Sequence, residues 1–297
     1  MACRRLGALL LALAAACATG PAQARGDAAS TPVDAIDDFG RRVTLASPAR
    51  RIVSLSPHAT ELLFEVGAGP RVVAVERSSD HPPQARALPT LSALPRPDLE
   101  RVLAHSPDLV VIWGAGASSD IIERLERLGI RVFVSDPRSL EAISATMVRL
   151  GRLAGVSSGA LESARRLHAR IETLRARYAA RTAVPVFMQI WSRPLMTLSD
   201  RDLIGDALGV CGARNVFADL PQAAAQVDPE QVLRRAPRLI LGFDAAGRVL
   251  WERLRVLAPA GAIDYVVVDS ALQRPTPRAL DVLEQVCERI DQVRAGR

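Results

Sequence analysis

Short runs of aliphatic and β-branched residues alternate along the chain with stretches whose apolar positions recur every three or four residues. The first is RIVSL, residues 51–55, and ATELLFEVGAG, residues 59–69, follows it at helical period up to a glycine pair. VVAVE (72–76), LVVIW (109–113) and IRVFVSD (130–136) read as further buried strands. DLERVLAHSP (98–107) and SDIIERLERLG (119–129) read as helices between them, and RSSDHPPQARALP (77–89) as turn-rich chain. Before all of these, DDFGRRVTL (37–45) reads as a hairpin; its Asp-Phe-Gly has no other kinase motif beside it.

Midway the pattern changes. SLEAISATMVRLGRLAG (139–155) predicts one helix, and residues 157–181 run on without Pro or a break. Leu161, Ala164, Leu167, Ile171, Leu174 and Tyr178 recur there at helical spacing. This predicts a single helix of about 25 residues, roughly 35 Å long. The strand–helix alternation then resumes through VPVFMQIW, DLIGDALGVCG, DPEQVLRRAP, RLILGFD, RVLWERL, YVVVD and RALDVLEQVCERIDQVR. DLERVLAHSPDLVVIW in the first half is echoed by DPEQVLRRAPRLILGF in the second. The expected fold is therefore α/β, with two βα lobes that each carry a sheet, joined by the long helix, and a ligand cleft between lobes. The expected boundaries are 25–156 for the first lobe, 157–182 for the linking helix and 183–297 for the second lobe.

Residues 1–24 have the form of an export leader. Arg4 and Arg5 precede the apolar run LGALLLALAAACA, and AQA ends at Ala24 as a small-residue cleavage site. The apolar run is shorter than the ~20 residues of a membrane span. The expected location is the periplasm, with lipid attachment at Cys17 of LAAAC as the alternative to simple cleavage. After cleavage Cys211 and Cys287 remain. Two cysteines in an oxidising compartment pair most simply as one disulfide; two buried free thiols are the alternative. The formal net charge is +6, but the arginines are interspersed with acids, as in RLERLG and ERIDQVR. That pattern suits solvated helix faces and excludes a nucleic-acid stripe. No Gly-x-Ser-x-Gly between a strand and a helix (GVSSG, 155–159, lies between two predicted helices), no closely spaced His pair and no phosphate-cradling loop supports an exported hydrolase. No catalysis and no metal centre are expected, and His58 and His81 lack a third ligand at metal spacing.

RIVSLSPHATELLFEVGAG, DHPPQA, LERVLAHSPDLVVIW, LERLGIRVFVSD and DPEQVLRRAPRLIL together resemble the helical-backbone periplasmic binding proteins of ABC importers. Those proteins capture cobalamin, haem or ferric siderophores. Trp113 before GAG, the VCGARNVF stretch and RPTPRALDVLEQVC are most similar to the family's cobalamin-binding members. The resemblance implies a monomeric receptor that holds a corrinoid and docks on a permease dimer in the inner membrane. It puts Cys211 and Cys287 where the family's disulfide cysteines fall, and the docking acids at Glu230 and, beside Ser119, at Asp120. Haem or a ferric siderophore is the alternative ligand within the same family.

The candidate ligand site follows from strand ends. Ser is a good N-cap and Pro suits a first helical turn, so Ser56 and Pro57 put a helix N-terminus at the cleft floor. Trp113 ends an apolar strand, and Gly114 after it lets a bulky ligand approach the backbone. Trp191 holds the corresponding place in the second lobe. Asp80 in the turn-rich segment and Arg274 in RPTPR complete the candidate set, the latter through the resemblance. Trp251 is expected in the core, and Ala224 stands where the cobalamin-binding members carry a Trp.

Overall fold

A computed structural model describes residues 31–93, 95–254 and 264–296 of the 297-residue chain. The expected leader, with Cys3 and Cys17, lies outside the described residues. An antiparallel hairpin, β1 (Val33–Ile36) and β2 (Arg42–Leu45), comes first. The strands of the first lobe follow as β3 (Ile52–Leu55), β4 (Val72–Glu76), β5 (Thr90–Leu91), β6 (Leu109–Trp113) and β7 (Arg131–Ser135). They form one parallel sheet in the order β5-β4-β3-β6-β7. The chain winds outward from β3 in one direction and from β6 in the other. The crevice beyond the carboxyl ends of β3 and β6 is therefore a topological switch point, where α/β sheets bind ligands.

Helices α1 (Pro57–Glu65), α2 (Leu99–Ala104) and α3 (Ser119–Arg127) connect these strands. Two helices then lead out of the lobe, α4 (Leu140–Leu153) and α5 (Ser157–Tyr178). α5 has 22 residues, fewer than expected, and its buried stripe is Ala160, Ala164, Leu167, Ile171, Leu174 and Tyr178. Leu161, expected in that stripe, is exposed; Ala160 takes its place. The reason is packing against α4, where Gly151 leaves room for the Ala160 methyl: a Cβ at Gly151 would lie 2.1 Å from it.

The second lobe departs from a plain βα repeat. β8 (Val184–Ser192) turns at once into β9 (Leu195–Leu198), its antiparallel neighbour. Then come α6 (Leu203–Val210), β10 (Ala213–Asn215), β11 (Ala224–Gln226), α7 (Pro229–Arg234), β12 (Leu239–Gly242), α8 (Ala245–Leu254), β13 (Asp264–Val267) and α9 (Pro277–Arg294). The sheet order is β11-β9-β8-β12-β13, with β10 beside the first half of β8.

The sequence echo has a structural counterpart down to one backbone angle. α2 and α7 are each six residues long and are N-capped by Asp98 and Asp228. Each is followed by a non-glycine residue in the left-handed region, Ser106 at φ 44° and Ala236 at φ 47°. A Pro comes next in both, and then the central strand β6 or β12.

A single apolar core crosses the lobe boundary. It joins Leu63, Val111 and Phe133 of the first lobe to Met147, Leu150, Leu167 and Ile171 on α4 and α5, and on to Met188, Leu208, Leu241 and Leu283 of the second. The outer faces have their own clusters, with Val110, Ile122 and Leu125 in the first lobe and Phe187, Phe217 and Trp251 in the second. Trp251 is thus core, its indole N–H donating to Gln189 Oε1 at 2.6 Å. Polar contacts reinforce the joint: Asp206 on α6 accepts from the Leu140 N–H at the start of α4, at 2.9 Å. Cys211 and Cys287 form a disulfide between the end of α6 and α9, inside the same core. Among the described residues no helix is long and apolar enough to cross a membrane.

Candidate functional site

A cavity of about 450 Å³ opens between the lobes at the switch point. Ser56, Pro57, Trp113, Gly114 and Arg274 line it, so five of the seven expected ligand residues meet there. The second lobe adds Asp202, Leu203 and Ala223, and the loop before α9 adds Gln273 and Pro275.

Each element explains its residue. Ser56 Oγ accepts from the Ala59 N–H at 3.3 Å, capping α1 and ending β3 at the cavity floor. Trp113 closes β6 and is 42% exposed, although its strand neighbours are buried. Its indole N–H donates to Asp136 Oδ1 at 3.1 Å. The other oxygen of Asp136 accepts from Arg138 Nε and a terminal nitrogen, at 2.9 and 2.7 Å. Gly114 is needed because a Cβ there would lie 2.9 Å from the Asp136 carboxyl carbon.

His58, also in the lining, is 5% exposed, and its Nε2 lies 2.9 Å from Ser135 Oγ. Burial lowers its pKa to about 4, against the opposing pull of Asp136 and Asp38, so the ring is neutral at neutral pH. Among the described residues no three His, Cys, Asp or Glu side chains converge as metal ligands would.

Arg274 reaches from the second lobe to the first. It donates to the buried Glu61 on α1 at 2.9 Å and pairs with Asp80. Asp80 is exposed and is not among the residues that line the cavity, and the Arg274 hydrogen bond lowers its pKa. Trp191 does not line the cavity either. It is 61% exposed near the β8–β9 turn, with its indole N–H on the Arg193 carbonyl at 2.9 Å. Asp120 and Glu230 lie in the first turns of α3 and α7; Asp120 faces Arg96 at 3.4 Å, and Glu230 is exposed.

Sequence reasoning missed Phe39, Asp136, Arg138 and Asp202, which all line the cavity. Asp202 was legible as a helix N-cap, accepting from the Ile204 N–H, and burial pushes its carboxyl pKa up. Nothing in its local sequence points across the cleft.

The periplasmic binding protein family, as a profile, matches residues 52–250, more than half of the chain. The chain belongs to the periplasmic binding protein family. Among relatives of this periplasmic binding protein, the vitamin B12-binding protein of Vibrio cholerae serotype O1 is 33% identical over 244 residues. That match covers 81% of this chain and 88% of the relative. The vitamin B12-binding protein of Photorhabdus laumondii is 34% identical over 247 residues, covering 81% and 88%. The crystal structure of the periplasmic vitamin B12-binding protein of Vibrio cholerae superposes with a TM-score of 0.75 at 31% identity, covering 83% of this chain and 98% of that one. A periplasmic haem-binding protein from Roseiflexus shares the fold at a TM-score of 0.71 and 20% identity, covering 83% and 99%.

Proposed function

We propose that this periplasmic binding protein captures a corrinoid, cobalamin, in the cleft between its lobes and delivers it to the permease of an ABC importer. The observation that carries the reading is the charge balance of the cavity lining. Arg138 is held by Asp136, and Arg274 by Glu61 and Asp80, so both lining arginines are already paired. Asp202 and the neutral His58 add no positive charge. Such a lining suits a large amphipathic ligand rimmed with neutral amides, which take hydrogen bonds from fixed dipoles and ion pairs. Haem brings two carboxylates that call for unpaired cations, and its iron calls for a side-chain ligand. The one imidazole in the lining is buried against Ser135. The names of the relatives support the same ligand.

The continuous core between lobes supports a receptor that binds with small lobe motion, since closure by large rotation needs a hinge. In this reading Asp120 and Glu230 offer exposed carboxylates, one on each lobe, to arginines of the permease. The protein acts as a monomeric periplasmic carrier and performs no chemistry on its cargo.

Tryptophan fluorescence of the mature protein, titrated with cyanocobalamin and corrected for inner-filter loss, tests the ligand. Saturable quenching at submicromolar concentration, weakened by Trp113→Ala, is expected. No saturable quenching by cyanocobalamin, together with a shifted Soret band on adding hemin, would overturn the corrinoid reading in favour of haem.

A further inference from the structure

Aromatic residues make up 4% of the chain, yet two of the exposed ones border the same cavity. One is Trp113. The other is Phe39, 49% exposed at the turn of the β1–β2 hairpin. That hairpin lies ahead of the segment matched by the family profile, which begins at residue 52. We propose that Phe39 is a second aromatic wall of the ligand site, placed by the hairpin to pack against the apolar face of the macrocycle. The proposal rests on the corrinoid reading above.

The backbone of the turn that carries this ring is held at many points. Asp37 is buried, and its Oδ1 accepts from the N–H groups of Phe39 at 3.0 Å and Arg41 at 2.8 Å. Its Oδ2 accepts from the Val134 N–H at 3.3 Å, fastening the turn to β7. The Asp38 N–H donates to the Val134 carbonyl at 3.0 Å, and Asp38 accepts from the Asp136 N–H and from Arg149, both at 2.6 Å. Gly40, at φ +76°, completes the reversal in a conformation that side chains rarely adopt.

Asp136 links the two aromatics. Its backbone N–H holds the turn that carries Phe39, and its carboxylate holds the Trp113 indole. Among the described residues neither ring packs on another aromatic. A half-exposed Phe on a turn whose backbone is fixed by this many polar contacts has no evident core role. Rigid, exposed aromatic faces at a cavity mouth are efficient ligand contacts, because little side-chain entropy is lost on binding.

The test is equilibrium dialysis of cyanocobalamin against the wild-type mature protein and the variants Phe39→Ala, Phe39→Tyr and Trp113→Ala, with thermal melts alongside. Phe39→Ala is expected to raise Kd about tenfold, the scale of one aromatic packing contact, with an unchanged melt. Phe39→Tyr keeps the ring and is expected to bind as the wild type does. If Phe39→Ala binds within twofold of wild type while Trp113→Ala is weakened, Phe39 is not a ligand wall and the corrinoid reading stands. If the wild-type protein itself binds no cyanocobalamin, both readings fall.

Discussion

Arg274 in the second lobe and Glu61 in the first meet at 2.9 Å across a sequence separation of 213 residues. Glu61 is 4% exposed, and Arg278 donates to the same oxygen at 3.0 Å. Its second oxygen is buried without a hydrogen-bond partner. A buried carboxylate held this way depends on its two arginines, and they depend on it. Breaking such a cluster by removing one partner costs about 3–5 kcal/mol, because uncompensated charge stays behind. Glu61→Ala is therefore expected to lower the melting midpoint by roughly 10 °C. Calorimetry would check this; a midpoint within about 2 °C of wild type would show that the cluster is not a joint between the lobes.

His58 gives the protein a defined pH dependence. Its folded pKa of about 4 lies below the ordinary 6.5, chiefly because burial disfavours the charged ring. The stability this supplies is complete above pH 6.5, where neither state binds the proton. It falls as pH drops from 6.5 towards 4, because the unfolded chain is protonated first. The full difference is about 3 kcal/mol. Denaturant melts at pH 7 and pH 4.5 are expected to differ less in His58→Gln than in wild type. NMR should show the His58 ring not titrating above pH 5; a midpoint near 6.5 would sink the argument.

How much of this was legible in the sequence depends on whether a residue's role is local. Ser56, Pro57, Trp113 and Gly114 were readable because an apolar run that stops abruptly marks a strand end, and strand ends line the crevice. The echo between DLERVLAHSP and DPEQVLRRAP was readable because both segments repeat the same cap, turn and strand. Trp191 was read by analogy with Trp113, but β8 turns back through Arg193 and Pro194 into β9 instead of entering a helix. The apolar stretch LMTL after that dipeptide was the available signal for a hairpin. Asp136 and Asp202 were not readable as a pair of cavity walls, since only the packing of the two lobes brings them together.

The Cys211–Cys287 disulfide closes a loop with a sequence separation of 76. In the chain-entropy account, a loop of that size contributes about 4 kcal/mol through the unfolded state. Both cysteines are fully buried in the shared core, so reductant reaches them only after local opening. The Cys211→Ser, Cys287→Ser double variant is expected to melt roughly 10 °C lower than the oxidised wild type. Corrinoid affinity should be unchanged, because neither cysteine lines the cavity. A large loss of affinity in a variant that still folds cooperatively would mean that the bond positions the site rather than the fold.

Gly114 separates the geometry of the site from its chemistry. Its missing side chain lets the Asp136 carboxylate sit against the backbone at the end of β6. That carboxylate cannot retreat freely, since Arg138 and the Trp113 indole both donate to it. A methyl at Gly114 would lie 2.9 Å from the carboxyl carbon, so Asp136 must shift and the indole loses its acceptor. Nothing polar is removed, and the change lies at the solvent-facing end of the strand. Gly114→Ala is therefore expected to leave the fold cooperative and cost about 1–2 kcal/mol of stability. It should weaken cyanocobalamin binding about tenfold through misplacement of Trp113. If Trp113→Ala weakens binding and Gly114→Ala does not, the indole works as an apolar surface whatever its angle. If both variants weaken it, and the combined variant is no worse than Trp113→Ala alone, Gly114 acts by aiming that one ring.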